Sequence, residues 1–209
     1  MVNLLIKKQA TEIFCHPPLN RFLCWKGSAK NQRIALTFDD GPNPEYTPRV
    51  LECLEAHGVR ATFFVLGARI RRYTELLERI VAGGHEVGIH GYDHTRNNLV
   101  WQCRRTHEFL ASRGVDTRLF RPPFGHIDMV TSLWMIRHGW STILWSFDTM
   151  DSMRCEGKAQ QELRYGELVA GDIVLMHDDN AVCMSELPQL IERARANGLE
   201  PGTVSDLLL

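Results

Sequence analysis

The sequence predicts an α/β fold on a parallel sheet, and three observations carry that prediction. Short β-branched or aromatic runs alternate with helix-like segments along nearly the whole chain of 209 residues. The helix-like segments close repeatedly on glycine, as at Gly58, Gly114 and Gly139. Acids, imidazoles and a guanidinium stand directly after the strand-like runs rather than within them. Sustained βα alternation implies right-handed crossovers between parallel strands. Six or seven such units can close into a barrel or lie open as a doubly wound sheet, and periodicity does not choose. No Gly-x-Gly-x-x-Gly follows the first strand, which counts against a dinucleotide fold.

In chain order, Ile34–Phe38 reads as the first strand by its β-branched and aromatic content. A helix follows, with Thr47 as cap, Pro48 in its first turn, Val50, Leu51 and Leu54 on one face, and Gly58 as its stop. Ala61–Leu66 ("ATFFVL") is a second strand, Glu75–Ala82 a helix ended by Gly83-Gly84, and Glu86–Ile89 a short strand. Leu99–Ser112 is helical, Leu119-Phe120 starts a strand, Asp128–His138 is helical, and Thr142–Phe147 is a strand. Gln160–Val169 is expected as a helix, Ile173–Met176 as a strand and Glu186–Ala196 as a helix closed by Asn197-Gly198. Thr203–Leu209 fits a final strand or helix. No linker or low-complexity stretch interrupts the series, so a single domain is expected.

Composition narrows the function classes. Hydrophobic content of 44% and charged content of 23% are those of an ordinary soluble domain. A net charge of -1 gives no electrostatic reason to expect nucleic acid or an anionic membrane surface as partner. The six cysteines, Cys15, Cys24, Cys53, Cys103, Cys155 and Cys183, form no Cys-x-x-Cys pair and are expected as reduced thiols. Met1–Cys24 lacks the apolar centre of a signal peptide, and no run approaches the ~18–20 apolar residues of a transmembrane segment. The expected location is therefore cytoplasmic as the sequence is written, or extracytoplasmic if it has been trimmed.

The chemistry gathers at strand ends. In "IALTFDDGP", Ile34–Pro42, two adjacent carboxylates stand where a strand meets a Gly-Pro break. Neighbours on a strand point to opposite faces, so a shared packing role does not suit both. His90 and His94 follow the third strand, Arg121 the fourth, Asp148 and Asp151 the fifth, and His177 the sixth. In parallel α/β folds these ends open onto one face, which carries the active site. Any one of these residues alone reads as an ordinary surface group; five strands delivering such groups together do not. His90 and His94 have the His-x-x-x-His spacing that lets two imidazoles hold one metal, although His94 also reads as a solvent-facing residue at a helix start. With a carboxylate from another strand end the pair makes a two-His, one-carboxylate site for a divalent ion.

One of the paired acids then binds metal and the other takes a proton from water. Arg121 can orient that base by two hydrogen bonds. The turn Arg121-Pro122-Pro123-Phe124-Gly125 is rigid enough to aim N–H groups at an oxyanion. His177 remains to protonate a departing amine, aided by a nearby carboxylate.

Taken together, "TFDDGP", "HGYDH", "RPPFG", "WSFDTMD" and "LMH" resemble the motif set of the polysaccharide deacetylases, carbohydrate esterase family 4, also called the NodB-homology domain. The resemblance implies a distorted parallel (β/α) barrel, here of seven strands, over residues 31–209, with residues 1–30 as an N-terminal extension packed on it. It implies removal of N-acetyl groups from an amino-sugar oligo- or polysaccharide, peptidoglycan or chitin-like, with release of acetate. One divalent metal ion is implied, zinc first, with cobalt, nickel or manganese admissible. By position, Asp40, His90 and His94 match the metal ligands and Asp39 the catalytic base. Arg121 matches the residue that orients the base, and the backbone of Phe124 an oxyanion donor. His177 matches the catalytic acid and Asp148 the acid that tunes it; Asp151 shares that motif, and Leu175 matches a residue lining the acetyl pocket.

Three positions depart from the pattern: Gly91 where Ser or Thr is frequent, Phe124 for Tyr, and Ser152 where a pocket Trp is common. Trp145 and Trp140 are candidates to compensate, though a strand Trp is more often a core residue. Two other readings compete. A same-fold amidohydrolase or deformylase acting on a lipid-linked sugar or a cyclic amide keeps the fold and changes the substrate. A non-catalytic binding module predicts a missing ligand, base or acid, and none is missing. Elsewhere, His85 reads as a turn residue, Asp128 as a helix cap or, with His126, part of the site mouth. Asp178 and Asp179 read as substrate contacts or loop caps, and His16, His57, His107 and His138 as surface residues.

Overall fold

Strands covered on both faces account for the near-continuous apolar runs. The computed structural model describes residues 22–160 and 165–208. Its second strand, β2 (Arg33–Asp39), is buried at every position after Arg33. Alternation sorts its side chains: Ile34, Leu36 and Phe38 join the larger apolar cluster under the helices. Ala35 joins a smaller cluster with Phe64, Ile143, Ile173, Val204 and Leu207, on the inner side of the curved sheet. Thr37 and Asp39 continue the inner row, so β2 aims one of the two adjacent acids inward.

The described residues form one nine-stranded sheet. Its strands are β1 (Leu23–Cys24), β2, β3 (Thr62–Val65), β4 (Glu86–Ile89), β5 (Leu119–Phe120), β6 (Ser141–Ile143), β7 (Phe147–Asp148), β8 (Ile173–His177) and β9 (Glu200–Gly202). The order is β1-β6-β5-β4-β3-β2-β8-β7, with β9 beside β2, and every ladder is parallel. Gly27 N–H donates to Gly171 O at 2.7 Å, and Lys26 bridges Asp172 in antiparallel sense, drawing the β1 end of the path towards β8. The sheet is thus curled into the distorted barrel that the family resemblance implies.

Its strand number exceeds seven for two reasons. β1 and β9 are short additions that carry little strand signal of their own. The run Thr142–Phe147, expected as one strand, changes neighbours midway. Ser141–Ile143 pairs with β5 and β1, whereas Ser146 N–H donates to Ile173 O and Phe147 pairs with Val174 of β8.

Helices α1 (Thr47–Ala56), α2 (Gly67–Arg72), α3 (Thr74–Ala82), α4 (Leu99–Ala111), α5 (Met129–Arg137), α6 (Asp151–Cys155), α7 (Ala181–Ala196) and α8 (Val204–Leu208) connect the strands or follow them. Asp128 caps α5, accepting from Thr131 N–H at 2.8 Å. Thr47 is not a cap; it is the first residue of α1, and its hydroxyl serves Asn43 and Asp178 instead. α7 begins five residues before its expected start, because Asn180 caps it by accepting from Cys183 N–H. The helix expected over Gln160–Val169 lies partly outside the described residues; Tyr165–Glu167 is a single 3-10 turn. Residues 1–21 of the expected extension, with Cys15 and His16, also lie outside them, whereas Leu23–Cys24 is an integral strand. The remaining five cysteines carry free thiols. Among the described residues no helix is long and apolar enough to cross a membrane.

Candidate active site

Asp39 ends β2 on its inner face and is buried beside Arg121, itself fully buried. Arg121 Nη1 donates to Asp39 Oδ1 at 2.8 Å and to Thr37 Oγ1 at 2.7 Å. Its Nε and Nη2 donate to the carbonyls of Ile143 and Leu144, both at 3.1 Å, and the guanidinium lies 4.2 Å over the Phe64 ring. The group that holds Asp39 is therefore locked from every side. Burial raises the Asp39 pKa above the usual carboxylate range, with Arg121 and His177 pulling against that rise.

Asp40 leaves the strand at φ +70°, so its carboxylate swings away from the row that Asp39 occupies. Its Oδ1 is buried with no hydrogen-bond donor among the described residues. Two imidazoles face it instead: His94 Nε2 at 3.4 Å and His90 Nε2 at 3.6 Å. His90 Nδ1 lies 2.9 Å from Arg121 O, a carbonyl that can only accept, so the ring proton sits on Nδ1 and Nε2 presents a lone pair. Burial pushes the His90 pKa down to about 3, which keeps the ring neutral. Asp40, His90 and His94 offer ligand atoms within 4.8 Å of one another. A buried oxygen without a donor facing a lone-pair nitrogen is a poor packing arrangement and a suitable cation cradle. The residues present fit a divalent metal.

Across the site, β8 carries Leu175 and His177 on the inner face, in register with Thr37 and Asp39. Asp151, fully buried at the start of α6, binds His177 twice: the backbone N–H donates to Oδ2 at 2.8 Å and Nδ1 to Oδ1 at 2.9 Å. Asn180 Nδ2 donates to Asp151 Oδ2 at 3.0 Å and Thr149 Oγ1 to Oδ1 at 3.1 Å. Burial alone would lower the His177 pKa, but the Asp151 hydrogen bond and charge, with the charges of Asp39 and Asp40, raise it to about 10. Here the sequence reading needs correction. Asp148 was expected to tune His177; its side chain is exposed and accepts from Met150 N–H at 2.9 Å. Met150, at φ +56°, reverses the chain between them and delivers Asp151 to the imidazole.

Phe124 closes the other wall. The Arg121-Pro122-Pro123 segment brings no N–H from its prolines, and Phe124, at φ +60°, is the first amide after them. Its ring is 56% exposed, 4.4 Å from the His94 ring and 4.7 Å from the Arg96 guanidinium. Trp145 is half-buried against Gly125, where a Cβ would meet its indole, while Trp140 is a core residue. Ser152 sits on α6 with no aromatic ring in place of the absent pocket Trp.

Of the remaining candidates, Asp178 is buried, accepts from the Thr47 hydroxyl and has its pKa raised to about 7 by burial. Asp179 pairs with Arg69 at 3.3 Å. His85 accepts from Ala61 N–H as a turn residue, and His107 pairs with Asp116 away from the site. His57 and His138 bond to carbonyls four residues back on their own helices, and His126 is exposed. The sequence reading missed Thr37 and Asn180; neither carries a signal beyond a polar residue near a strand.

A family model described as polysaccharide deacetylase matches residues 26–143. A peptidoglycan-N-acetylglucosamine deacetylase of Bacillus cereus is 32% identical, over 90% of this chain and 93% of that one. The Listeria monocytogenes protein of the same description is 34% identical over 85% of this chain, which spans only 39% of its length. Among solved structures, a peptidoglycan N-acetylglucosamine deacetylase bound to a naphthalenyl N-oxidanyl-benzamide superposes with a TM-score of 0.82 at 27% identity, covering 90% of this chain and 92% of that one.

Proposed function

The chain belongs to the polysaccharide deacetylase family, and on that premise we propose that it is a metal-dependent amide hydrolase removing N-acetyl groups from an amino-sugar glycan, peptidoglycan foremost. The observation that carries the reading is one convergence. A donor-free Asp40 oxygen faces two imidazole Nε2 atoms beside the buried Asp39–Arg121 pair, and His177, held by Asp151, is in register with Asp39 on the adjacent strand.

Asp40, His90 and His94 would hold the metal, with zinc the first choice for two imidazoles and one carboxylate. When bound, such an ion acidifies water at an open position and polarises the acetyl carbonyl. Asp39, fixed through Oδ1 by Arg121, accepts the water proton as the oxygen adds to the carbonyl carbon. Its raised pKa improves it as a base over a solvated carboxylate. The Phe124 amide supports the developing oxyanion. His177, cationic at neutral pH through Asp151, donates its Nε2 proton to the amide nitrogen as the C–N bond breaks. Acetate and the free amino sugar leave. Leu175, on the inner face two residues before His177, supplies an apolar wall for the methyl group.

The test is acetate release from peptidoglycan fragments and chitin oligosaccharides, with formate release from a formylated sugar in parallel. Metal-stripped protein should be inactive and recover with zinc or cobalt. Protein that binds neither ion and hydrolyses none of these substrates would end the reading; formate without acetate would move the substrate class to the deformylase alternative.

A further inference from the structure

The loop that carries His94 has little regular structure to hold it. It joins β4 to α4, and both His94 and Asn98 adopt left-handed backbone, at φ +57° and +51°. Such conformations are unfavourable for residues with a Cβ and persist only where surroundings impose them.

One side chain spans this loop from within. Gln102, in the first turns of α4, is 2% exposed. Its Oε1 accepts from Tyr92 N–H at 2.7 Å and Asp93 N–H at 3.3 Å. Its Nε2 donates to Asn97 O at 2.6 Å, Thr95 Oγ1 at 2.9 Å and Thr95 O at 3.3 Å. Both lone pairs and both protons of the amide are in use, and their partners flank His94 on either side. Position 91 makes the room. A Cβ on Gly91, itself at φ +94°, would stand 2.9 Å from Gln102 Oε1. One turn further along α4, Thr106 Oγ1 donates to Gly91 O at 2.9 Å, tying the His90 side of the same loop.

We infer that Gln102 is a positioning residue for the metal site: it holds segment 92–97 so that His94 Nε2 meets Asp40 and His90 without rearrangement on binding. The inference rests on the reading of Asp40, His90 and His94 as ligands. A fully satisfied buried amide gives a fixed loop at low conformational cost, and polar groups outside the ligand set that fix ligand orientation tune metal affinity.

The experiment measures the zinc dissociation constant by chelator competition on metal-stripped protein, beside hydrogen exchange of the Tyr92 and Asp93 amides without metal. Gln102→Leu should weaken zinc binding about 10–100-fold and expose both amides to exchange. Gln102→Glu, which keeps the acceptor and loses the donor, should fall between Gln102→Leu and wild type, and it serves if the Leu variant does not fold. Cys103→Ala is the control, a core truncation on the same helix that lowers thermal stability and should leave zinc affinity unchanged. Wild-type zinc affinity in a folded Gln102 variant would overturn the inference while leaving the proposed function intact. An equal loss in Cys103→Ala would also overturn it, by reducing Gln102 to general helix stability. Wild-type protein that fails to bind zinc would instead sink the proposed function, and this inference with it.

Discussion

Asp151 receives both the backbone N–H and the Nδ1 proton of His177, at 2.8 and 2.9 Å, so one buried carboxylate fixes the ring's position and its protonation together. Asp151→Asn should lower kcat about 10²–10⁴-fold. It should also move the alkaline limb of kcat/KM to lower pH. Asp148→Asn, at a carboxylate that reaches His177 through charge but not through a hydrogen bond, should move that limb less. pH–rate profiles of the two variants decide; equal shifts would return the tuning role to Asp148.

The same pair predicts a pH dependence of stability in metal-free protein. The folded His177 pKa is about 10, above the unfolded value of roughly 6.5. Its contribution is therefore complete below the unfolded value and lost as pH rises through about 10. Urea midpoints should fall across that window, and Asp151→Asn should flatten the fall. A wild-type midpoint constant over the window would contradict the pairing.

Asp39 and Asp40 should separate by function. Asp39→Asn should reduce turnover about 10²–10⁴-fold while the protein still retains one zinc per chain by elemental analysis. Asp40→Asn should lose the metal as well. Retained turnover in the Asp39 variant would reverse the assignment of base.

Arg121 holds Asp39 as a pair in which both side chains are buried. Arg121→Met should destabilise the fold by about 3–5 kcal/mol, because it strands a buried charge. Adding Asp39→Asn should recover part of that loss. Denaturant unfolding of the single and double variants tests the coupling, and strictly additive losses would argue against it.

Much of the frame was legible in residue order. Val-, Ile- and Phe-rich runs marked most of the strands, and their ends marked the site. The histidine pair followed from His-x-x-x-His, and the choice of Asp40 from another strand end came with the family resemblance. Other features were hidden because their signal is nonlocal. The stretch 142–147 reads as one strand, since nothing in it announces that its hydrogen bonds pass from one neighbour to another. Gln102 lies eight positions beyond His94 and looks like any polar residue on a helix; only the packing of α4 against the loop reveals its four-way bonding.

By itself, the order of residues determined an α/β architecture, the strand ends that bear reactive groups, and the identity of those groups. Tertiary structure decided which acid serves which partner. Alternation along a strand predicts facing only while the backbone stays extended, and the chain abandons it at Asp40 and Met150, both at positive φ. Those two residues turn the main chain just where the chemistry begins, so Asp40 parts from Asp39 and Asp151 displaces Asp148 at the imidazole.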